Sequence, residues 1–327
     1  MNNTKIIGTG SYLPEKVMTN DDWAKIVDTS DEWITSRTGI KERHFASEDQ
    51  ATSDLVTEAA KLAIEDAGID KSEIDLMIVA TITGDNAYPS TANWAQKKLG
   101  LKPIPSFDIG AACSGFLYTL KMADSLIRSG VAKTILVAGA ETMSKVINWE
   151  DRNTCVLFGD GAGAAILRTS DKPDDGILSS NWGADGNLGD LLLQPAGGSA
   201  MPASEKTVVE KLHTVHMKGN EVFKHAVLRM QEAAMKALES AGLTGEDIDL
   251  FVPHQANMRI IEATIRRAKI PMEKTFVNID KIANISAATV PIALDHARKS
   301  GRIKEGDNVL LAAFGAGFTW SGSVIRF

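Results

Sequence analysis

The chain has 327 residues, of which 44% are hydrophobic and 24% are charged, and its formal net charge at pH 7 is −7. This composition is typical of a globular protein with a large core, and the acidic balance argues against a general nucleic-acid-binding surface. Two cysteines exclude a disulfide scaffold. Without a secretory leader or a long apolar segment, the sequence predicts a cytoplasmic protein with no transmembrane helix.

Short β-branched segments alternate with helical patterns along the chain, which indicates α/β layers. Buried strands are predicted for "DLMIVAT" (75–81), "KTILVAGA" (133–140), "GAAILRT" (163–169), "DLFVPH" (249–254) and "NVLLAAF" (308–314). Amphipathic helices closed by glycine are predicted for 54–68 and 219–242. The segment 181–220 is rich in Gly, Ser, Asn and Pro and is predicted to be a loop at the rim of a site.

The chain contains an internal repeat. Residues 58–80 align without gaps on residues 232–254 at a constant offset of 174, and ten of the 23 positions are identical. A helix, an Ala-Gly stop, an acidic loop and a strand therefore recur in step. We infer two halves built on one template, with an expected boundary between residues 1–173 and 174–327.

A second match relates two helix starts. "SLIRSG" (125–130) aligns with "HARKSG" (296–301) at an offset of 171, which places Cys113 opposite Asn284. Each would follow a strand, "PSFDI" in one half and "FVNID" in the other. If the halves pack about a pseudo-twofold axis, these helix starts approach each other.

Cys113 is the first candidate nucleophile. It lies in "GAACSGF", where small residues precede a helical pattern that ends before Gly130. A buried structural thiol is the ordinary alternative. The unpaired N–H groups at a helix start favour a thiolate and are expected to lower the thiol pKa. The small neighbours also leave room for a substrate.

Two further residues are candidate partners of this cysteine. His254 ends the strand "DLFVP", at the kind of strand end where α/β sheets place their sites, and it stands apart from the other five histidines. By its local sequence alone, Asn284 is predicted to be a turn residue, but the repeat aligns it with Cys113. The second cysteine, Cys155, lies in an apolar strand-like segment and is interpreted as a core residue.

Several other site types are weakly supported. The glycine-rich stretches "GDGAG" (159–163) and "FGAGFTW" (314–320) fit neither a dinucleotide fingerprint nor a P-loop, although the second could present N–H groups to an oxyanion. No histidine and carboxylate cluster has metal-binding spacing. The order Cys, His, Asn also occurs in papain-like proteases, but the α/β pattern before Cys113 and the duplication argue against that reading.

The chain resembles the β-ketoacyl-acyl-carrier-protein synthase III family, the initiating condensing enzymes of bacterial fatty-acid synthesis. The resemblance extends from residue 8 to residue 320 through "GTGSYLPE", "DTSDEWITSRTGIKERH", "AACSGF", "FGDGAGAAIL", "VPHQANMRI", "NISAATVP" and "FGAGFTW". It implies a thiolase fold with five layers, αβαβα, in which each half contributes a mixed five-stranded sheet. It also implies a homodimer without a metal or cofactor.

The resemblance implies a role for many individual residues. Cys113 would be acylated, and His254 and Asn284 would complete the catalytic trio, with backbone N–H groups of Cys113, Gly315 and Ala316 as the oxyanion hole. Coenzyme A would contact Thr29, Trp33, Arg37, Arg152, Gly219, Phe223 and Asn257. The acyl carrier protein would dock on Gln255, Ala256, Asn257, Met258 and Arg259, and the acyl pocket would include Phe314 and Tyr88, the latter reaching across the dimer interface.

The resemblance predicts the condensation of a short acyl-CoA, acetyl-CoA in the first instance, with malonyl-carrier protein. Two departures concern the site: Ala283 replaces the family's usual Gly before the catalytic Asn, and Tyr88 replaces its usual Phe, which leaves the acyl primer open. Three alternatives remain at this point. They are a secondary-metabolite condensing enzyme of the same branch, a cysteine protease, and a non-catalytic protein that binds coenzyme A or an acyl carrier.

Overall fold

The computed structural model describes residues 3–172 and 174–327. The strands of this part of the chain are β1 Thr4–Tyr12, β2 Lys16–Thr19, β3 Glu42–Phe45, β4 Leu76–Ala80, β5 Ser106–Ile109, β6 Thr134–Thr142, β7 Asp160–Thr169, β8 Gly176–Ala184, β9 Leu192–Leu193, β10 His216–Met217, β11 Leu250–Pro253, β12 Asn308–Gly315 and β13 Thr319–Arg326. The helices are α1 Asn20–Trp23, α2 Asp31–Thr38, α3 Thr52–Ala67, α4 Thr91–Leu99, α5 Gly115–Arg128, α6 Glu205–Val209, α7 Gly219–Ala241, α8 Met258–Ala268, α9 Ile279–Ile282 and α10 Thr289–Lys299. The five predicted strands and both predicted long helices are present.

The two main sheets repeat one topology. The first has the order β1-β7-β6-β4-β5, and the second has the order β8-β13-β12-β11. In both sheets the first strand pairs antiparallel with the second, and the second pairs antiparallel with the third. The third strand pairs parallel with the fourth, as β6 does with β4 and β12 does with β11. This correspondence strand by strand is what the repeat at offset 174 predicts, while the exact boundary at 173/174 stays a prediction.

Helices separate and cover the sheets in five layers. α5 and α10 lie between the two sheets, where their apolar faces share one core with β4, β6, β11 and β12. α3 and α4 cover the outer face of the first sheet, and α7 and α8 cover that of the second. The order α, β, α, β, α agrees with the expected fold, because each sheet has two apolar faces to bury.

The second sheet has four strands, so the expectation of five in each half was wrong for this half. The predicted strand "FVNID" (276–280) does not form. The preceding Thr275 makes a single bridge with Phe251, and helix α9 begins at Ile279, within the predicted segment. The Gln255 side chain takes the place of the missing strand pairing. It donates to the carbonyls of Pro253 and Phe276, and its oxygen accepts from Asn278 N.

Two local expectations also need correction. Cys155 is buried as expected, but it begins a 3₁₀ turn, Cys155–Leu157, because the strand starts five residues later at Asp160. The segment 181–220 is not a continuous loop: it contains the end of β8, the short strands β9 and β10, and α6. Glycine and proline content alone did not reveal these elements, because β9 and β10 form by pairing with each other and the end of β8 by pairing with β13.

Within residues 3–172 and 174–327, no helix combines the length and the apolar character needed to cross a bilayer.

Candidate active site

Cys113 lies in a 3₁₀ turn, Ala112–Ser114, that leads directly into α5. The turn begins with Ala112 at a φ of 45°, which swings the chain from β5 towards the helix axis. The thiol is partly exposed at the floor of a cleft. Desolvation by the surrounding protein raises its pKa to about 12, although the Ser286 hydroxyl acts to lower it. The expected low pKa was therefore wrong for the resting protein, because desolvation outweighs the helix start.

Gly315, the last residue of β12, packs directly against the amide of Cys113. A Cβ atom at this position would lie 2.6 Å from Cys113 N and 3.1 Å from Ser114 N. Both Gly315 and Cys113 line the cleft, whereas Ala316 is not among its lining residues. The backbones of Gly315 and Cys113 thus meet at the wall of the cleft.

His254 follows β11 directly and is nearly fully buried. Its backbone N–H donates to Ala312 O at 2.8 Å, which extends the pairing with β12, and its Nδ1 lies 2.5 Å from Thr289 Oγ1. Burial lowers the pKa of the imidazole to about 3. The ring is therefore neutral in ordinary buffers, and Thr289 fixes its orientation.

Asn284 is held by backbone on both sides. Its N–H donates to Leu157 O and its carbonyl accepts from Gly159 N, so the loop is bound to the turn before β7. The side-chain Oδ1 accepts from Ser286 N at 2.9 Å, which directs the amide NH₂ group towards the cleft. The preceding Ala283 has φ 58° and ψ −158°, so the loop takes the conformation that a glycine would favour despite the alanine.

The repeat aligned the two helix starts with an error of three residues. The turn Ser286–Ala288 and helix α10 begin 174 positions after the corresponding turn and helix of the first half, so Cys113 corresponds to Ala287. α10 is 11 residues long and α5 is 14, which explains why their ends match at 171. The starts do meet: a Cβ at Gly115 would lie 3.5 Å from the Cβ of Ala287.

A cleft of about 940 Å³ brings most of the predicted site residues together. The predicted residues that line it are Cys113, His254, Asn284, Gly315, Phe314, Trp33, Arg37, Gly219, Phe223, Ala256, Asn257 and Arg259. The others lie outside this lining: Thr29, Arg152, Ala316, Gln255, Met258 and Tyr88. The cleft therefore joins a buried reactive floor to a basic and aromatic rim.

The rim carries an aromatic ring, Trp33, with two cations close to it. The guanidinium carbons of Arg37 and Arg152 lie 4.7 Å and 5.0 Å from the centre of the Trp33 ring. Arg152 also donates to Asp28 O at 2.6 Å, next to Thr29, whose buried hydroxyl makes no hydrogen bond within the described chain. A flat heterocycle and phosphate groups are the chemistry that such a rim accommodates.

The segment 255–259 divides into buried and exposed parts. Gln255 is fully buried and Met258 packs on the core below α2, whereas Arg259 is exposed at the first turn of α8. Asn257 caps α8 by accepting from Arg259 N and donates to Arg37 O. Within this segment, Arg259 is thus the side chain most available to an acidic partner.

Tyr88 and Phe314 occupy opposite environments. Phe314 is buried in the cleft against Phe318, with ring centres 4.6 Å apart. Tyr88 is 87% exposed on the loop before α4. A single copy of the chain therefore leaves Tyr88 uncovered.

Sequence reasoning missed three residues around the trio: Thr289, Ser286 and Glu141. Thr289 and Ser286 orient His254 and Asn284, and both lie in the quoted motif "NISAATVP". Glu141 is fully buried near Cys113. Its position inside the apolar segment "TILVAGAET" was the available signal, because an uncompensated buried carboxylate is rare.

A duplicated five-layer α/β fold with Cys, His and Asn at the junction of its halves defines a condensing enzyme of the thiolase fold. Residues 107–186 match the family model described as 3-oxoacyl-[acyl-carrier-protein (ACP)] synthase III, and residues 238–327 match the model of its C-terminal part. The chain belongs to this family of condensing acyltransferases.

Individual relatives support this assignment over nearly the whole chain. A β-ketoacyl-[acyl-carrier-protein] synthase III of Caldanaerobacter subterraneus subsp. tengcongensis is 56% identical over 98% of this chain and 97% of its own. The 3-oxoacyl-[acyl-carrier-protein] synthase III structure from Aquifex aeolicus VF5 is 49% identical, with a TM-score of 0.91 over 99% of this chain and 100% of that one. The priming β-ketosynthase of the R1128 polyketide pathway is 35% identical, with a TM-score of 0.92 over 100% and 96%.

Proposed function

We propose that this protein condenses a short acyl-CoA with malonyl-acyl-carrier protein through an acyl-Cys113 intermediate. The observation that carries the proposal is the convergence of Cys113, His254 and Asn284 in a single cleft. A non-catalytic binding protein would not need a thiol, an imidazole and a carboxamide together. The cysteine-protease alternative is wrong, because the chain belongs to a different family and fold.

In the first stage the Cys113 sulfur attacks the acyl-CoA thioester and coenzyme A leaves. The backbone N–H groups of Cys113 and of the Gly315–Ala316 turn stabilise the tetrahedral oxyanion, and one such donor is typically worth about 3 kcal/mol of barrier. Trp33 with Arg37 and Arg152 beside it supports a coenzyme A site at the rim, since an aromatic face suits adenine and the cations suit phosphates. The other proposed contacts are Thr29, Gly219, Phe223 and Asn257.

In the second stage malonyl-carrier protein enters and loses carbon dioxide. Thr289 Oγ1 lies 2.5 Å from Nδ1 of His254 and 3.2 Å from Ser286 O. With the Thr289 hydroxyl donating along the shorter contact, Nε2 carries the ring hydrogen, so that His254 and the Asn284 amide offer two donors to one thioester oxygen. These donors stabilise the developing enolate, whose carbon attacks acyl-Cys113 and releases the 3-ketoacyl product. A neutral His254 suits this role, because its N–H group can donate a hydrogen bond to the carbonyl without a positive charge on the ring.

Two surfaces around the cleft support proposed protein partners, a carrier protein and a second copy of this chain. The exposed Arg259 and its neighbours in 255–259 form the proposed docking site for an acidic carrier protein, with the buried Gln255 holding the segment in place. The high exposure of Tyr88 supports a homodimer in which this side chain reaches the partner's acyl pocket beside Phe314. The proposed chemistry uses no metal or cofactor.

Intact-mass analysis after mixing with acetyl-CoA tests the proposal. We expect a 1:1 acetyl adduct that disappears in Cys113→Ala and persists in Cys155→Ala, and malonyl-carrier protein should then discharge it to a 3-ketoacyl product. A folded protein that forms no adduct with any short acyl-CoA would contradict the proposal. A panel of acyl-CoAs also identifies the primer.

The likeness to the R1128 priming β-ketosynthase favours a second candidate, a priming enzyme of secondary metabolism. Both candidates use the same two stages and differ in the acyl group and the carrier protein. The condensation rate is therefore measured with a carrier protein from each pathway. A preference above tenfold assigns the enzyme to the pathway of the preferred carrier protein, and equal rates indicate that it serves both.

A further inference from the structure

Glu141, in β6, is a buried carboxylate that the proposed mechanism does not use. Four donors converge on its Oε2 atom: Thr81 Oγ1, Ile82 N, Thr83 N and Thr83 Oγ1, at 2.6 to 3.1 Å. The other oxygen, Oε1, is buried and makes no hydrogen bond within the described chain. A carboxylate needed solely to brace the 81–83 loop would not require this free oxygen.

The turn Ser286–Ala288 packs against both strand β6, which carries Glu141, and the turn Ala112–Ser114, which carries the nucleophile. The Ser286 hydroxyl is near enough to stabilise the charged forms of both Cys113 and Glu141, and so lowers the pKa of each. Yet Ser286 Oγ is buried and makes no aligned hydrogen bond in the resting structure. The thiol, the hydroxyl and the carboxylate are therefore neighbours, and neither Ser286 Oγ nor Glu141 Oε1 has a hydrogen-bond partner in the described chain.

We propose that Glu141, acting through Ser286, accepts the proton of the Cys113 thiol when the nucleophile is generated. The thiol proton passes to Ser286 Oγ as the Ser286 hydroxyl proton passes to Glu141 Oε1. The sulfur forms its bond to the acyl carbon, the bond from that carbon to the coenzyme A sulfur breaks, and coenzyme A leaves as a thiolate that solvent protonates in the open cleft.

The same relay closes the cycle. In the condensation step Cys113 is expelled as a thiolate, and the proton stored on Glu141 returns to it through Ser286. Glu141 is thereby a carboxylate before acylation and a carboxylic acid while the acyl group is bound. These two acyl-transfer steps rest on the proposed function, whereas generation of the thiolate does not.

The alternatives for accepting this proton are weaker. Burial lowers the pKa of His254 to about 3, so its imidazole is a poor base. Burial raises the pKa of Glu141 to about 7, against the hydrogen bonds from Thr83, Ile82 and Thr81 and the influence of the nearby Ser286 hydroxyl. A carboxylate with that pKa matches the range in which a general base works best.

The ionisable groups around Glu141 come from several elements. From the α5 side it faces Cys113, whose thiolate it disfavours as a nearby negative charge. On the adjacent strand β7, Asp160 is bound by Ser144 and by Ala46 N. Beyond the 81–83 loop, Asp85 is bound by Ser53, and His254 shares the cleft with Cys113.

The pH dependence of Cys113 alkylation by iodoacetamide tests the relay without any substrate. In the wild type we expect the rate to rise between pH 6 and 8 and then level off. In Glu141→Gln we expect at least a tenfold loss at pH 7.5 and a rate that keeps rising with hydroxide to pH 9. Peptide mass mapping assigns the label to Cys113 rather than to the buried Cys155.

The sign of the effect distinguishes a relay from a simple charge. If Glu141 acted solely as a negative charge beside the thiol, its removal would favour the thiolate and speed alkylation. An unchanged or faster rate in Glu141→Gln would therefore overturn the proposal. Asp160→Asn, which removes a buried carboxylate from the neighbouring strand, is the matched control and should keep the wild-type profile.

Ser286→Ala provides a second, independent variant. It leaves the carboxylate in place and breaks the path, so we expect a similar loss, with no further loss in the double variant. If Glu141→Gln does not fold, the Ser286→Ala profile decides, and a wild-type rate there overturns the relay. Because alkylation needs no thioester, this outcome is separate from failure to form an acetyl adduct.

Discussion

Gly315 and Cys113 belong to different halves of the chain, and the Cα of Gly315 packs against the amide of Cys113 so closely that a Cβ would lie 2.6 Å from its nitrogen. The other atoms within reach of that Cβ are Ser114 N at 3.1 Å and Ala112 Cβ at 3.2 Å. All three are fixed by the turn before α5. A side chain at 315 could therefore be accommodated only by displacing the proposed oxyanion hole.

Gly315→Ala should slow acylation of Cys113 about a hundredfold, the typical effect of losing one oxyanion donor. The measurement is the rate of acetyl-adduct formation by rapid-quench mass analysis. Gly110→Ala is the matched control, since a Cβ there meets nothing within 4 Å, and it should acylate at the wild-type rate. Wild-type acylation in Gly315→Ala would remove this contact from the mechanism.

Asn284→Ala should separate the two stages. The amide that Ser286 N orients is expected to act on the malonyl thioester, so decarboxylation should fall about a hundredfold while the acetyl adduct still forms. Release of labelled carbon dioxide and intact mass measure the two stages on one sample. Asn220→Ala, also on the cleft but exposed, should change neither. Equal losses in both stages would contradict this division of roles.

Arg259→Glu should weaken docking of the carrier protein. Reversing an exposed charge at the start of α8 is expected to raise the KM for malonyl-carrier protein about tenfold with little change in kcat, and added salt should narrow the difference. The KM and kcat for malonyl-carrier protein are measured by steady-state kinetics at two salt concentrations. Arg267→Glu, in the last turn of the same helix, is the control, and an equal effect there would point to net charge rather than docking.

Ala283→Gly tests the strain in the Asn284 loop. The φ of 58° and ψ of −158° lie in a region that costs a non-glycine residue about 1–3 kcal/mol. Glycine at this position relieves the strain, but the loss of a buried methyl group and the greater entropy of the unfolded chain together cost about 1–2 kcal/mol of stability. The thermal midpoint of Ala283→Gly should therefore be no lower than that of the wild type.

Ala288→Gly provides the comparison for this loop. Ala288 is equally buried but has ordinary helical angles, φ −81° and ψ −18°, so glycine relieves nothing there. Its thermal midpoint should fall by a few degrees. If both variants lose the same amount, Ala283 stores no strain.

Much of the fold was predictable because the patterns are local. The five apolar strands, the glycine-closed α3 and α7, and the repeat between the halves were all read from residue spacing, and the sheet orders agree with them. The fifth strand of the second half was not. In place of that strand, the Gln255 side chain makes hydrogen bonds with backbone groups of Phe276 and Asn278, which lie 21 and 23 positions away in the sequence.

The sequence by itself determined the family and the candidate residues, because motifs such as "AACSGF", "VPHQANMRI" and "NISAATVP" are local and specific. The protonation states were decided by tertiary structure alone. The helix start favours a thiolate at Cys113, yet the protein packed around it raises the thiol pKa to about 12 and lowers that of His254 to about 3. Desolvation arises from every group that surrounds a site, and these groups come from segments far apart in the chain.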